Sequence, residues 1–271
     1  MRTIRNFCLF LCLLHGHFGY TQQENTASLT KTIHADIVDF EVDNLGNIYL
    51  LSSENRLKKL SPAGDSLGVY NDVRKYGKIS EIVATNPLKV LLYYKEFATI
   101  VMVDRFLNII NSIDLRKLNI FQAPSIGLAY DNSVWVFDEL EAKLKRINDD
   151  GTLIDQTTDM RQLLDSVPEP SVIVDQSGLV YLYDSLKGVY VFDHYGAFQK
   201  HVRLQGWIDF SVIDKNMLGR DLQHFFRYTS GQLEVQVQPI PSSFLPALKI
   251  IIMPKGIYVL KPNSLEIYST R

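Results

Sequence analysis

Six times along the chain an apolar or alternating segment ends in a small polar residue at a turn. The segments are RLKKLS ending at Ser61, IVMVD at Asp104, KLKRIN at Asn148, VYVFD at Asp193, FFRYT at Thr229 and LEIYS at Ser269. The spacings between successive ends are 43, 44, 45, 36 and 40 residues. A period of that length held over most of a chain marks a repeated supersecondary unit that cannot bury its apolar faces alone and must stack on its neighbours.

Each unit reads as four short strands. DIVDFEV and NIYLL precede RLKKL in the first, SEIVAT and KVLLYY precede IVMVD in the second, and SLGVY and NIINSID follow as fourth strands. The breaks are rich in Asp, Asn, Gly, Pro and Ser, whose dihedral and hydrogen-bonding preferences make turns. The pattern predicts an all-β, six-bladed β-propeller of four-stranded antiparallel blades, over 36–71, 79–115, 124–158, 170–204, 207–240 and 247–271. The sixth unit stops after three strands. The alternating segment SLTKTIH (Ser28–His34) is therefore expected to complete it, so that ring closure removes an exposed edge. The whole of 22–271 is expected to be one domain, with DMRQLLDSV (Asp159–Val167) its one helical candidate.

The stretch VDNLGNIYLLSSENRLKKLSPAGDSL (Val42–Leu67) resembles an NHL-type repeat, and VDQSGLVYLYDSLKGVYVFDHYGAF (Val174–Phe198) resembles it more loosely. The other four units share spacing and pattern only. The chain is thus similar to divergent six-bladed propellers of exported bacterial proteins. That resemblance implies a fold and leaves activity open among scaffolds, ligand binders, sensors, lyases and hydrolases.

Residues 1–21 read as a secretory signal peptide: Arg2 and Arg5 precede the apolar run FCLFLCLLHGHFG, and the chain then turns polar, with cleavage expected after Gly19 or Thr21. Cys8 and Cys12 both lie in that run, so the mature chain would hold no disulfide, thiolate nucleophile or cysteine-bound metal. With 28 Lys and Arg against 30 Asp and Glu, nothing favours nucleic acid. The expected location is periplasmic, outer-membrane-associated or extracellular.

Motifs for chemistry are few. GDSL (Gly64–Leu67) matches the nucleophile motif of a lipase and esterase family, and DLQH (Asp221–His224) imitates its Asp-x-x-His pair. The repeat puts Ser66 and Asp221 in turns at opposite ends of their blades, too far apart for a triad. His34, His194, His201 and His224 show no metal-ligand spacing, and DELEA and NDDG have the composition of loops and turns, so no metal is expected. No phosphate-cradling glycine loop occurs, and no cofactor is expected.

Position then nominates a site. Propellers bind ligands over the mouth of the central channel, among the loops entering each first strand and those joining second to third strands. In this register the binding candidates are His34, Asp36, Lys78, Gln122, Glu169, Trp207 and Asp209, with Ser125 and Ser171 beside them and Lys95, Glu96, Glu139 and Asp184 further out. Trp207 is the preferred anchor, because large aromatics dominate binding hot spots. The expected function is a non-enzymatic protein-binding or scaffold module at the bacterial cell envelope, with an envelope or outer-membrane protein as partner and peripheral membrane association left open. The alternatives are a carbohydrate- or peptide-active lyase or hydrolase, using carboxylates such as Asp36, Glu169 and Asp209, and a small-ligand sensor.

Overall fold

The computed structural model describes residues 27–269, apart from the side chains of residues 73 and 74. The expected signal peptide, with Cys8 and Cys12, lies outside the described residues. Strand β1 (Ser28–His34) opens the described chain. Blade one follows as β2 (Asp39–Val42), β3 (Ile48–Leu51), β4 (Leu57–Leu60) and β5 (Ser66–Tyr70), and blade two as β6 (Glu81–Asn86), β7 (Lys89–Tyr94), β8 (Thr99–Val103) and β9 (Ile109–Asp114). Blade three holds β10 (Ile126–Leu128), β11 (Val134–Asp138), β12 (Lys143–Ile147) and β13 (Leu153–Gln156). Blade four holds β14 (Val172–Gln176), β15 (Leu179–Asp184), β16 (Gly188–Asp193) and β17 (Phe198–Val202). Blade five holds β18 (Ile208–Ile213), β19 (Asn216–Arg220), β20 (His224–Thr229) and β21 (Gln236–Pro239). Blade six has β22 (Lys249–Met253), β23 (Gly256–Lys261) and β24 (Ser264–Ser269), and β1 pairs antiparallel with β24 as its fourth strand. The molecule is a six-bladed β-propeller closed by its N-terminal strand.

The polar residue that ends each third strand has a mechanical role. Asp104 Oδ1 accepts from the backbone N–H groups of Phe106 and Asn108, and Asp193 Oδ1 accepts from those of Tyr195 and Ala197. Ser61 Oγ likewise accepts from Asp65 N–H. Each closes a tight turn by replacing a backbone partner. The same blades show a register shift between the third and fourth strands, at Lys59/Leu60, Met102/Val103 and Val191/Phe192. Such a bulge increases twist, which outer strands of a propeller blade need. Asp43, in the best NHL-like stretch, does the same between first and second strands, accepting from Leu45 N–H, Asn47 N–H, Asn47 Nδ2 and Tyr49 Oη, with Gly46 at φ +86°.

Second and third strands carry the core because both of their faces meet neighbouring blades. Every residue of β7, β8 and β11 is buried. Fourth strands alternate poorly and stay exposed, as in β9 and β13. Apolar layers fill the gaps between successive blades: Tyr49, Leu57, Val90 and Val101 between blades one and two, and Phe40, Ile48, Leu260 and Leu265 between blades six and one. The segment 159–167 is not a helix beyond one 3₁₀ turn, Met160–Gln162, where the Asp159 side chain accepts from Arg161 N–H and Met160 is buried in the layer between blades three and four. No helix of the described residues is long and apolar enough to cross a membrane.

Deleting Ser28–His34 removes the β1–β24 ladder and the half-buried Ile33, which packs on the layer between blades six and one. The expected loss is several kcal/mol, read as a drop of 10 °C or more in Tm or as failure to fold; an unchanged Tm would refute closure by β1.

Candidate functional site

The channel mouth is lined by the starts of the first strands, where charged residues alternate with core residues. In β2, Phe40 and Val42 are buried between blades, leaving Asp39 and Glu41 on the other face. In β6, Ile82 and Ala84 enter the layer against blade one, leaving Glu81 on the opposite face, toward blade three. Period-two alternation makes this division unavoidable once the register is set.

These charges tie neighbouring blades together. Lys249 Nζ, at the start of β22, lies 2.9 Å from Asp39 Oδ1 and 2.6 Å from Glu41 Oε1, and sits 5.6 Å from the centroid of the Phe40 ring. Glu81 Oε1 accepts from Ser125 Oγ at 2.9 Å and Oε2 from Ile126 N–H at 3.2 Å, so blade two holds the entry of blade three. Asp209 Oδ2 accepts from Arg220 Nε and from Ile250 N–H at 2.7 Å, so blade five holds the entry of blade six. A bulge between Ile208 and Ser211, with Asp209 at φ +54°, turns this carboxylate to reach both donors. Arg220 is almost fully buried and donates further to the carbonyl of Leu248.

Carboxylates outnumber cations here, and burial magnifies the imbalance. Burial pushes the Glu81 carboxyl up to about 8, against the pull of its Ser125 and Ile126 hydrogen bonds. Glu81 is therefore a neutral acid at pH 7. Burial also raises Glu41, with Lys249 opposing and Asp39 and Asp209 adding to the rise. Burial disfavours the Lys249 ammonium, but Glu41 and Asp39 outweigh it and hold its pKa above the ordinary lysine value.

Of the seven binding candidates, Asp209 takes part in this cluster. Ser125 joins it as Glu81's partner, and Lys95 stands nearby with Nζ 3.5 Å from the carbonyl of Pro124. His34 is exposed at the end of β1, and because β1 is the outermost strand of blade six it lies three strand spacings, about 14 Å, from the first strand. Asp36 Oδ2 accepts from Ser53 N–H and Oγ, pinning a turn of blade one. Lys78 and Gln122 are exposed on connecting loops, and Glu169 pairs with Lys187 at 3.2 Å on blade four.

Trp207 departs furthest from expectation. It is 6% exposed, its ring stacks on Phe226 with centroids 5.3 Å apart, and a Cβ on Gly219 would stand 2.7 Å from it. Its carbonyl accepts from Tyr183 Oη at 2.6 Å. The indole belongs to the layer between blades four and five and is a packing residue. Asp39, Glu41, Glu81 and Lys249 lie within first strands and not in the loops that the register nominates; their signal in the sequence is a charge in each of the apolar-patterned segments DFEV, EIVATN and KIIIM.

The Ser66 and Asp221–His224 motifs separate as expected. Ser66 begins β5 at one end of blade one, while Asp221 and His224 flank the turn at the other end of blade five, with His224 Nδ1 3.4 Å from Asp221 Oδ2. Among the described residues no group of three His, Cys, Asp or Glu side chains is arranged to hold a metal ion.

No family model and no curated protein matches the chain. Solved structures do match it in fold. A catalytically inactive variant of virginiamycin B lyase from Staphylococcus aureus, solved with quinupristin, aligns with a TM-score of 0.63 at 11% identity, over 88% of this chain and 99% of that one. The extracellular domain of a hybrid two component system from B. thetaiotaomicron aligns at 0.56 and 10% identity, over 86% of this chain and 33% of the other. A chain of the mitotic checkpoint complex aligns at 0.55 and 9% identity over 99% of both. At these identities the likeness is one of fold alone.

Two outcomes follow for stability. The native state keeps the Glu81 proton up to about pH 8 while the unfolded chain releases it near the ordinary glutamate value, so stability falls as pH rises between those points and is level above them. Glu81→Gln should abolish that slope and be more stable than the parent at pH 8 by an amount on the order of 3 kcal/mol in urea unfolding; equal pH profiles would contradict it. Lys249→Met leaves Asp39 and Glu41 uncompensated and should cost roughly 2–4 kcal/mol at pH 7, with part recovered on acidification as Glu41, already raised by burial, takes up a proton.

Proposed function

We propose that the protein is a non-enzymatic binding or scaffold module of the bacterial cell envelope, exported from the cytoplasm, that holds a protein partner across the face surrounding the channel mouth. One observation carries this reading: apolar side chains stand exposed on that face in connections contributed by every blade. They are Val38 and Leu248 on segments entering first strands, Phe121 on the segment entering blade three, and Phe97, Leu140, Leu186 and Leu222 between second and third strands, with Leu186 79% and Leu222 75% exposed. Surface leucines occurring singly need no explanation, and the turns at the other end of the blades expose Leu45, Leu88, Phe106, Tyr195 and Leu233 as well; on the mouth face the apolar groups ring the channel, which suits a partner surface. The charged groups at the centre of the mouth are already engaged between blades, so the ring of loops supplies the free contacts. The fold occurs within protein assemblies, as in the mitotic checkpoint complex, and in the extracellular domain of a two component system, which favours a protein partner and export. The N-terminal sequence, with Arg2 and Arg5 before an apolar run, supports the same location.

The enzymatic alternative draws on one observation, the Glu81 acid held neutral at pH 7 at the mouth of a fold that virginiamycin B lyase also uses. Both Glu81 oxygens are engaged by blade three, and this favours an inter-blade role for it.

The test is a paired capture from envelope extract with the parent and with Leu140→Asp/Leu186→Asp/Leu222→Asp. These exposed positions should tolerate the change within about 0.5 kcal/mol each. A protein retained by the parent in stoichiometric amount and lost by the triple variant is the expected result; identical capture by both would refute the reading.

A further inference from the structure

The layer between blades five and six is incomplete, and a cavity of about 440 Å³ takes its place. The cause lies in blade five. The strand pairs place Leu218, Arg227 and Gln236 side by side across β19, β20 and β21, with Phe225 beside Gln238 one step along. The corresponding row in blade two, two residues before the polar end of the third strand, is Leu91, Met102 and Asn111, with Leu91 and Met102 fully buried. No residue of β20 is fully buried, whereas β8 is buried throughout. Arg227 stands where blade two has Met102 and blade four Val191, and unlike the cations at the same position in blades one and three, the buried Lys59 and Arg146, it is exposed, because blade six does not close over it.

The two ends of the cavity differ chemically. Its apolar end is formed by Phe225, Phe244, Ile252 and Ile257, together with Leu218. Its polar end carries Arg227 with Asn216, Gln236 and Gln238. Arg227 holds the one formal charge on the lining and is exposed, so it stands where the cavity meets solvent. Its Nε donates to Asn216 Oδ1 at 3.0 Å, and Asn216 is itself fixed by Thr229 Oγ1 at 2.8 Å. The two Nη groups have no protein partner among the described residues. A guanidinium oriented in this way presents paired donors that match a carboxylate.

We propose that this cavity binds a medium- or long-chain carboxylic acid, with the carboxylate on Arg227 and the hydrocarbon chain between Phe225, Phe244, Ile252 and Ile257. The volume lies in the range of small-molecule pockets, and a lining that is mostly apolar with one cation at the opening selects an amphiphilic anion over a sugar or a polyphosphate. This site is separate from the partner-binding face and does not depend on it.

The experiment is isothermal titration of dodecanoate and of 1-dodecanol into the full chain and two variants. The parent should bind one dodecanoate per chain. Arg227→Gln, a surface change that leaves the fold intact, should weaken dodecanoate about tenfold while changing 1-dodecanol less than twofold. Ile252→Trp should fill the cavity and abolish binding of both, with an unchanged far-ultraviolet dichroism spectrum. Absence of saturable dodecanoate binding by the parent overturns the proposal, as does equal affinity of the parent and Arg227→Gln. Concentration-dependent dimerisation of the parent that Ile252→Trp abolishes would also overturn it, assigning the cavity to a second copy of the chain. So would binding seen only after removal of residues 1–26, which would assign it to that segment.

Discussion

Everything in this molecule rests on one antiparallel pairing, that of β1 with β24, joining residues 241 positions apart in sequence where Ser28 Oγ meets Ser269 Oγ at 2.7 Å. Without it blade six would be a three-stranded sheet with a bare edge, and the apolar layer between blades six and one would lose the cover that Ile33 gives it. Closing a loop that spans the chain is costly in entropy, though the cost grows only slowly with length. Contacts between adjacent blades are local, and each added blade brings its own. Closure is the step at which an open array of sheets becomes a ring.

Around the ring each pair of neighbouring blades is also held by a polar side chain reaching across, with a different residue at each junction. Asn55 bonds the backbone of Gly77 and Ile79 between blades one and two. Glu81 joins two to three, and Asp175 accepts from Trp135 Nε1 between three and four. Tyr183 donates to the carbonyl of Trp207 between four and five, Asp209 accepts from Ile250 N–H between five and six, and Lys249 meets Asp39 and Glu41 between six and one. The open edges of the first strands offer unpaired backbone groups. Glu81 and Asp209 accept from two of them, the N–H groups of Ile126 and Ile250. Holding such a carboxyl between two blades buries it, and that burial is what keeps Glu81 protonated.

Blade five is the exception to the regular packing. It has the shortest repeat spacing, 36 residues, and its fourth strand spans only Gln236–Pro239. Trp207 turns away from the axis to stack on Phe226 and fill the notch over Gly219, which serves blade four. The opposite face of blade five is left polar, and the cavity beside blade six follows.

Strand number, blade order and the closing strand were legible in the sequence, because a hairpin repeat with polar turn residues leaves a period that does not depend on neighbours in space. The carboxyl side chains that end third strands at Asp104 and Asp193 write that period directly, since each must bond its own turn. The mouth was legible only in part. Asp209 could be assigned to it from register, but whether Trp207 faces a ligand or a neighbouring blade, and whether His34 stands at the axis or the rim, depends on which strand lies beside which. The pairing of Lys249 with Asp39 and Glu41 joins residues more than 200 positions apart, and the partners that fix Glu81, Ser125 and Ile126, stand on the next blade. Periodicity is a local property that one chain can display unfolded; proximity across a closed ring exists only after closure.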